Sequence, residues 1–218
     1  MSMITFQKNI FFERLDQYCS DFEEEFHLIS EERKLQLQIL SEYISKKQKN
    51  QEVTRLIVIC THNSRRSHIG QLWLAAASEL YGIKNVKTYS GGTEATAFNP
   101  RSVAALQRAG FEIVTSESGG ENPTYYAAFG FSHSPLKMFY KVFDHEENPI
   151  QGFAAIMVCS DADENCPFVP GTEKRISITY DDPKDFDGTD LEEAKYDERV
   201  RQIGREMFYV LKVVRSQG

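Results

Sequence analysis

With 218 residues, 41% of them hydrophobic and 26% charged, the chain can bury a real core, and one domain with embellishments is the natural count. A formal net charge of −7 argues against a nucleic-acid or anionic-membrane partner. No stretch is apolar enough to span a bilayer, the opening residues lack the apolar segment of a signal peptide, and four cysteines in such a chain fit cytosolic thiol chemistry better than structural disulfides, so a cytoplasmic location is expected.

Residues 8–48 read as one or two amphipathic helices. Phe11, Phe12, Leu15, Tyr18, Phe22 and Phe26 recur at roughly helical spacing, and Leu35, Ile39, Leu40, Tyr43 and Ile44 suggest a second stripe. Residues 1–50 are therefore taken as a helical extension packed on the main domain, with a homodimer or partner surface as the alternative. Cys19 falls here and reads as a packing residue. Glu23-Glu-Glu25 and Lys46-Lys-Gln-Lys49 read as solvated faces.

The main domain, residues 51–218, opens with Leu56-Ile-Val-Ile59, short, β-branched and uninterrupted, as a buried parallel strand is. Residues 55–60 are the expected strand and 66–81 the expected helix, stopped by Gly82. Between them stands Cys60-Thr-His-Asn-Ser-Arg-Arg66-Ser67. A cysteine at a strand–loop–helix junction faces converging loop amides and a helix N-terminus, which together bind an anion and favour a thiolate. Arg66 can clamp the same anion with its planar fork. Ser67 donates to the Cys60 sulfur in this reading; in the plainer one it only starts the helix, and Cys60 is a small core residue.

A second strand is expected over 85–90 and a helix over 99–110. Residues 115–152 follow as an insertion. Gly119-Gly120, Asn122-Pro123, Ser134-Pro135 and Asn148-Pro149 punctuate it as loop, yet its many aromatics must pack, so a lid over Cys60 is one expectation for it. His133 and His145 read as loop or core histidines.

A third strand, 153–159, delivers Cys159 to the same sheet edge as Cys60, where open α/β sheets bind ligands. Cys159-Ser-Asp-Ala-Asp-Glu-Asn-Cys166-Pro167 then suggests a relay: Cys60 binds an oxyanion, Cys159 attacks Cys60, and Cys166 attacks Cys159. Bridging the last two requires Cα atoms within about 7 Å, so a helical segment there must unwind, and its Asp and Asn residues make it easy to melt. A zinc site or unrelated core thiols are the other readings, although no matching Cys or His pair is evident. The fourth strand, 174–180, leads to Asp181-Asp182-Pro183. Pro183 holds Asp182 extended, where its carboxyl group can serve as a general acid or simply shape a turn. A long helix, 190–213, is expected to cross the sheet through Val200, Ile203, Met207, Val210 and Leu211.

These pieces resemble the low-molecular-weight protein tyrosine phosphatases over residues 53–114 and 153–213, and within that superfamily most resemble the thioredoxin-coupled arsenate reductases. The phosphatases share Cys-x5-Arg-Ser and the late Asp-Pro; the Cys159/Cys166 pair is the reductase hallmark. The resemblance implies a flavodoxin-like α/β sandwich of about four parallel strands. It implies Cys60 as nucleophile, Arg66 as oxyanion clamp, Ser67 as thiolate donor, Asp182 as general acid and Cys159 with Cys166 as redox pair. Thr61, His62, Asn63, Ser64 and Arg65 complete the oxyanion loop, Asn63 shaping it and Ser90 buttressing it. His62 stands where the family usually has glycine, a residue used where φ is positive, so it is either tolerated there or narrows the pocket; Arg65, where the family often has cysteine, either adds positive charge near the site or points to solvent. Gln71 replaces an acidic residue that some reductases use for potassium, so no metal is expected.

Three functions follow. The first is arsenate reduction with no bound cofactor and with thioredoxin as external reductant. The second is phosphomonoester hydrolysis, of phosphotyrosine above all, through a phospho-Cys60 intermediate, with Cys159 and Cys166 as a redox guard. The third is a non-enzymatic anion-sensing module. The expected ligand is thus a small oxyanion (arsenate, phosphate or sulfate) or a phosphotyrosine.

Overall fold

The computed structural model describes residues 10–94, 98–116, 122–165 and 168–217. In chain order its strands are β1 (Thr54–Cys60), β2 (Val86–Gly92), β3 (Glu112–Thr115), β4 (Tyr125–Ala128), β5 (Leu136–Met138), β6 (Phe153–Met157) and β7 (Thr172–Ser177). Its α-helices are α1 (Glu13–Cys19), α2 (Glu31–Lys49), α3 (Arg66–Leu80), α4 (Pro100–Ala109), α5 (Ser160–Asn165) and α6 (Glu192–Ser216). Among the described residues no helix is long and apolar enough to cross a membrane.

Four strands form a parallel sheet in the order β2-β1-β6-β7, flanked by helices, which is the expected α/β sandwich. Leu56, Ile57, Val58 and Ile59 are all buried, because β1 lies between β2 and β6 and is covered on both faces. The crossover from β1 to β2 is α3, and that from β6 to β7 is α5 with the segment after it. The carboxyl ends of β1 and β6 therefore lie side by side, Ile59 pairing with Met157. Strand β6 ends earlier than the sequence suggests, yet Val158 still donates to Ile59 O at 2.9 Å and carries Cys159 to that edge.

Local signals explain the helix limits. In α4, Asn99 caps the first turn by accepting from Arg101 N at 2.9 Å, Pro100 occupies a position that needs no donor, and Gly110 ends the helix at φ 109°. Gly110 serves a second purpose, since a Cβ there would lie 2.4 Å from Leu15 N. The extension thus lies directly against the main domain.

Within that extension Phe11, Leu15 and Phe22 are buried, Phe22 edge-on to Trp73 and Phe208 with ring centroids 5.5 and 4.9 Å apart. The helical stripe breaks after Cys19, where a turn and a 3-10 segment, Glu24–Leu28, intervene. The second stripe needs correction. Leu40 and Ile44 are buried together with Leu37, whereas Leu35 is 66% and Ile39 41% exposed. Positions 37, 40, 41 and 44 share one helical face, and 35 and 39 fall outside it. In α6 the five expected residues, Val200, Ile203, Met207, Val210 and Leu211, are all buried.

The insertion is more ordered than its turn residues imply. Its strands β4 and β5 pair antiparallel with β3, which ends where the insertion begins, to form a second sheet. Ala127, Phe129 and Met138 are buried, which answers where many of its apolar atoms go, while Phe131 stays 88% exposed. Gly119 and Gly120 lie outside the described residues. The return segment then runs beside β2: Gly92 N donates to Lys141 O and Phe143 N to Gly92 O, both at 2.9 Å.

Because Phe22 fills the junction between extension and sheet helices, Phe22→Ala is expected to cost about 3–5 kcal/mol in urea unfolding, with loss in one cooperative transition.

Candidate active site

Cys60 is the last residue of β1 and Arg66 the first of α3, so the intervening loop turns the chain back within residues 61–65. The positive end of α3 faces that loop. Two features permit the turn. Asn63 takes the left-handed conformation at φ 45°, which asparagine tolerates better than most residues. Gly92, at the end of β2, leaves room, because a Cβ there would lie 2.7 Å from Thr61 O and 2.8 Å from Asn63 N. His62 is not the positive-φ residue, so the expectation drawn from its replacing glycine is corrected: the left-handed position in the loop is Asn63. His62 instead places Nδ1 3.5 Å from a Glu94 carboxylate oxygen. Thr93 N donates to Cys60 O at 3.2 Å, Glu94 N to Thr61 O at 2.8 Å and Asn99 N to Ser64 O at 2.9 Å, framing the loop from outside.

The Cys60 sulfur lies 3.1 Å from Ser67 Oγ, and Asn63 Nδ2 donates to the same hydroxyl at 2.9 Å. All three residues are buried. Arg66 donates from Nη2 to Asp182 at 2.5 Å and from Nη1 to Tyr180 O at 2.7 Å. Its Nε is buried without a hydrogen-bond partner. Asp182 is extended at φ −82°, ψ 122°, as a residue before proline is expected to be, and accepts from Lys184 N at 3.1 Å. Neighbouring Asp181 points away, its side chain 94% exposed. Arg65 does not point to solvent. Its Nε donates to Tyr196 Oη at 2.9 Å and its guanidinium sits 3.9 Å from Asp182 and 3.6 Å from Asp187.

Cys159 joins this group from β6. Its sulfur accepts from Thr61 N at 3.3 Å and, at the start of α5, from Ala162 N at 3.4 Å. Thr61 Oγ1 spends its single proton on Asp161 at 2.6 Å, so across the 3.3 Å contact between Thr61 Oγ1 and Cys159 the thiol is the donor. The second cysteine is thereby bonded to the residue next to the first. Residues 160–165 are helical and tethered to β7, with Asp163 2.6 Å from Arg175 and 2.7 Å from Ser177 Oγ. Cys166 lies outside the described residues. Cys19 is buried in the extension, where burial pushes its thiol well above the ordinary range, as a packing residue's would be.

Behind the loop lies His68, which the sequence reading passed over. It is fully buried, lies tilted against Phe98 with ring centroids 4.1 Å apart and meets Ser90 Oγ at 3.1 Å. Ser90 thus meets His68 directly behind the loop. Burial first, then the nearby Lys141 ammonium, push His68 down to about 3, so it stays neutral. Its place directly after Ser67 was the signal that could have found it. Lys141 and Asn148 carried no such signal. Gln71 donates to Thr88 O at 3.2 Å, and among the described residues no group of three or more His, Cys, Asp or Glu could hold a metal.

No family model matches the sequence. The chain is 31% identical over 147 residues to an arsenate reductase of Bacillus licheniformis, covering 67% of this chain and 86% of that protein. It is 30% identical over 152 residues to an arsenate reductase of Bacillus subtilis strain 168, covering 68% and 88%. Among solved structures, a low-molecular-weight phosphotyrosine phosphatase from Vibrio cholerae O395 superposes with a TM-score of 0.51 at 14% identity, over 76% of this chain and 99% of that one, which shows the shared fold.

A histidine held neutral by burial makes stability depend on pH. Its folded value is depressed below the ordinary 6.5, so its contribution is complete above 6.5 and is lost as pH falls toward 3. The expected slope is on the order of 1 kcal/mol per pH unit. Urea midpoints of wild type and His68→Gln between pH 7 and 5 check this: the slope should flatten in the variant.

Proposed function

The chain belongs to the arsenate reductase family, and from that premise we propose that it reduces arsenate through a relay of Cys60, Cys159 and Cys166, with thioredoxin as the external reductant. The observation that carries the reading is the 3.3 Å bond between the Cys159 sulfur and Thr61 N, which puts a second thiol beside the nucleophile.

The chemistry runs as follows. Arsenate enters the loop and takes the unpaired Nε of Arg66, competing with Asp182 for the rest of the guanidinium fork. The Cys60 thiolate attacks arsenic, and one oxygen leaves as water with a proton from Asp182. Cys159 then gives up its thiol proton, which leaves with the arsenic oxyanion, and attacks the Cys60 sulfur. A sulfur–sulfur bond forms, the sulfur–arsenic bond breaks, and its electron pair stays on arsenic, which departs as arsenite. Cys166 attacks Cys159, freeing the Cys60 thiolate and leaving a Cys159–Cys166 disulfide for the dithiol of thioredoxin to reduce. The last exchange requires α5 to unwind, and its short length and Asp-rich sequence make that inexpensive. The net charge of −7 repels an anionic substrate at long range, so capture rests on the local field of Arg66 and the α3 N-terminus.

Cys60, Arg66 and Asp182 also suffice for phosphomonoester hydrolysis, and one assay separates the two. NADPH consumption with arsenate, thioredoxin and thioredoxin reductase should fall to the blank rate in Cys159→Ser, while the first Cys60 adduct still forms. Multiple turnover by that variant would sink the relay. Aryl phosphate hydrolysis that survives the mutation, without arsenate turnover in the wild type, would make the protein a phosphatase. Arg66→Lys, which keeps charge but loses the fork, is expected to lower kcat/KM by on the order of 10²-fold, read in the same assay.

A further inference from the structure

We infer that the insertion sets the direction of the hydrogen-bond chain ending on Cys60, which makes Lys141, through its backbone amide, and Asn148 positioning residues for the nucleophile. The inference rests on the reading of Cys60 as the reactive thiol and adds a function for a segment outside the shared α/β core.

One donor in this chain cannot reverse. Lys141 N donates to Asn63 Oδ1 at 2.9 Å in a buried setting. A backbone N–H has no acceptor role, so the end of the Asn63 amide that faces it must be oxygen. An asparagine side chain has two orientations that differ only in which end is oxygen, and here the insertion chooses between them. The amino end then faces Ser67 and donates to its Oγ at 2.9 Å. A hydroxyl that receives that bond still has one proton to give, and the Cys60 sulfur lies 3.1 Å away. Cys60 is thereby held as an acceptor, the role a thiolate fills and a neutral thiol does not need. With Asn63 reversed, its oxygen would take the Ser67 proton and the sulfur would lose its donor.

The amide of Lys141 is itself held firmly. Its own carbonyl accepts from Gly92 N at 2.9 Å, and Gly92 O accepts from Phe143 N at 2.9 Å. Asn148, 4% exposed, uses Nδ2 to staple this segment to β2, donating to Phe143 O at 3.0 Å, Ser90 O at 3.1 Å and Val142 O at 3.4 Å. The approach is close enough that a Cβ at Gly91 would lie 2.4 Å from Phe143 Cα. The contact reaches the loop at buried Asn63, so this part of the insertion buttresses the loop from behind.

The test is site-resolved iodoacetamide alkylation of Cys60 against pH, read by mass spectrometry, in wild type, Asn148→Asp, Ser67→Ala and the double variant. Asn148→Asp keeps the shape but sets a carboxylate against three carbonyls. It should raise the Cys60 alkylation midpoint by about one pH unit, a tenfold loss of reactivity at fixed pH below the midpoint. In the Ser67→Ala background it should add nothing, because the two act through one chain. An unchanged midpoint, or an equal shift with and without Ser67, overturns the proposal. Asn148→Ala removes the donors without adding charge and serves if the aspartate variant fails to fold. The wild-type Lys141 amide must also resist hydrogen exchange; rapid exchange overturns the proposal with no variant at all. Alkylation reads Cys60 whatever the substrate is, so an inert arsenate assay would count against the reductase and leave this result standing.

Discussion

The contact between the Cys60 sulfur and Ser67 Oγ, 3.1 Å long, is the one on which the rest of the site depends. It joins the end of β1 to the first turn of α3, two points that meet only if the chain curls back within residues 61–65. Curling requires a left-handed residue, supplied by Asn63 at φ 45°, and clearance, supplied by Gly92. Once the contact is made, the other parts fall into place by covalent adjacency. Arg66 precedes Ser67 and is carried to Asp182, while Thr61 follows Cys60 and offers its amide to Cys159.

The site is also a balance of charge. Arg65 and Arg66 are largely buried, and Asp182 and Asp187 lie against them. Two neighbouring cations would repel each other, and the two carboxylates relieve that cost. In the proposed mechanism the pairing of Arg66 with Asp182 holds clamp and acid in register, and substrate competes with Asp182 for the guanidinium. The Cys159 side is built differently, from backbone donors and the short helix α5, whose tethers to β7 run through Asp163. In the proposed relay the interior strand β1 suits a thiol that holds an anion in place, and the short helix α5 suits one that must travel.

Much of this was legible in the sequence for physical reasons. The run Leu56–Ile59 has no polar face, so it could only be an interior strand, and the spacing from Cys60 to Ser67 matches a strand–loop–helix turn. Asp182 was readable because Pro183 restricts it. Other features depend on contacts far apart in the chain. Leu35 and Ile39 are apolar but lie off the buried face of α2, which only the position of α6 and β7 defines. The positive-φ residue fell at Asn63 and not His62, a shift of one position that a motif comparison does not resolve. The insertion is punctuated by turn residues, and its strands β4 and β5, like the preceding β3, are three or four residues long, too short for their alternation to show. Lys141 reaches Asn63 by a backbone amide, which has no side-chain signature at all.

Everything in the proposed relay turns on whether Cys159 reacts with Cys60. A single turnover with arsenate on Cys166→Ser, quenched in acid and mapped by peptide mass spectrometry, measures that step itself. A Cys60–Cys159 disulfide is expected, formed together with one equivalent of arsenite per protein. Arsenite release with both cysteines still reduced, or a Cys60 adduct that persists while Cys159 remains a free thiol, would contradict it.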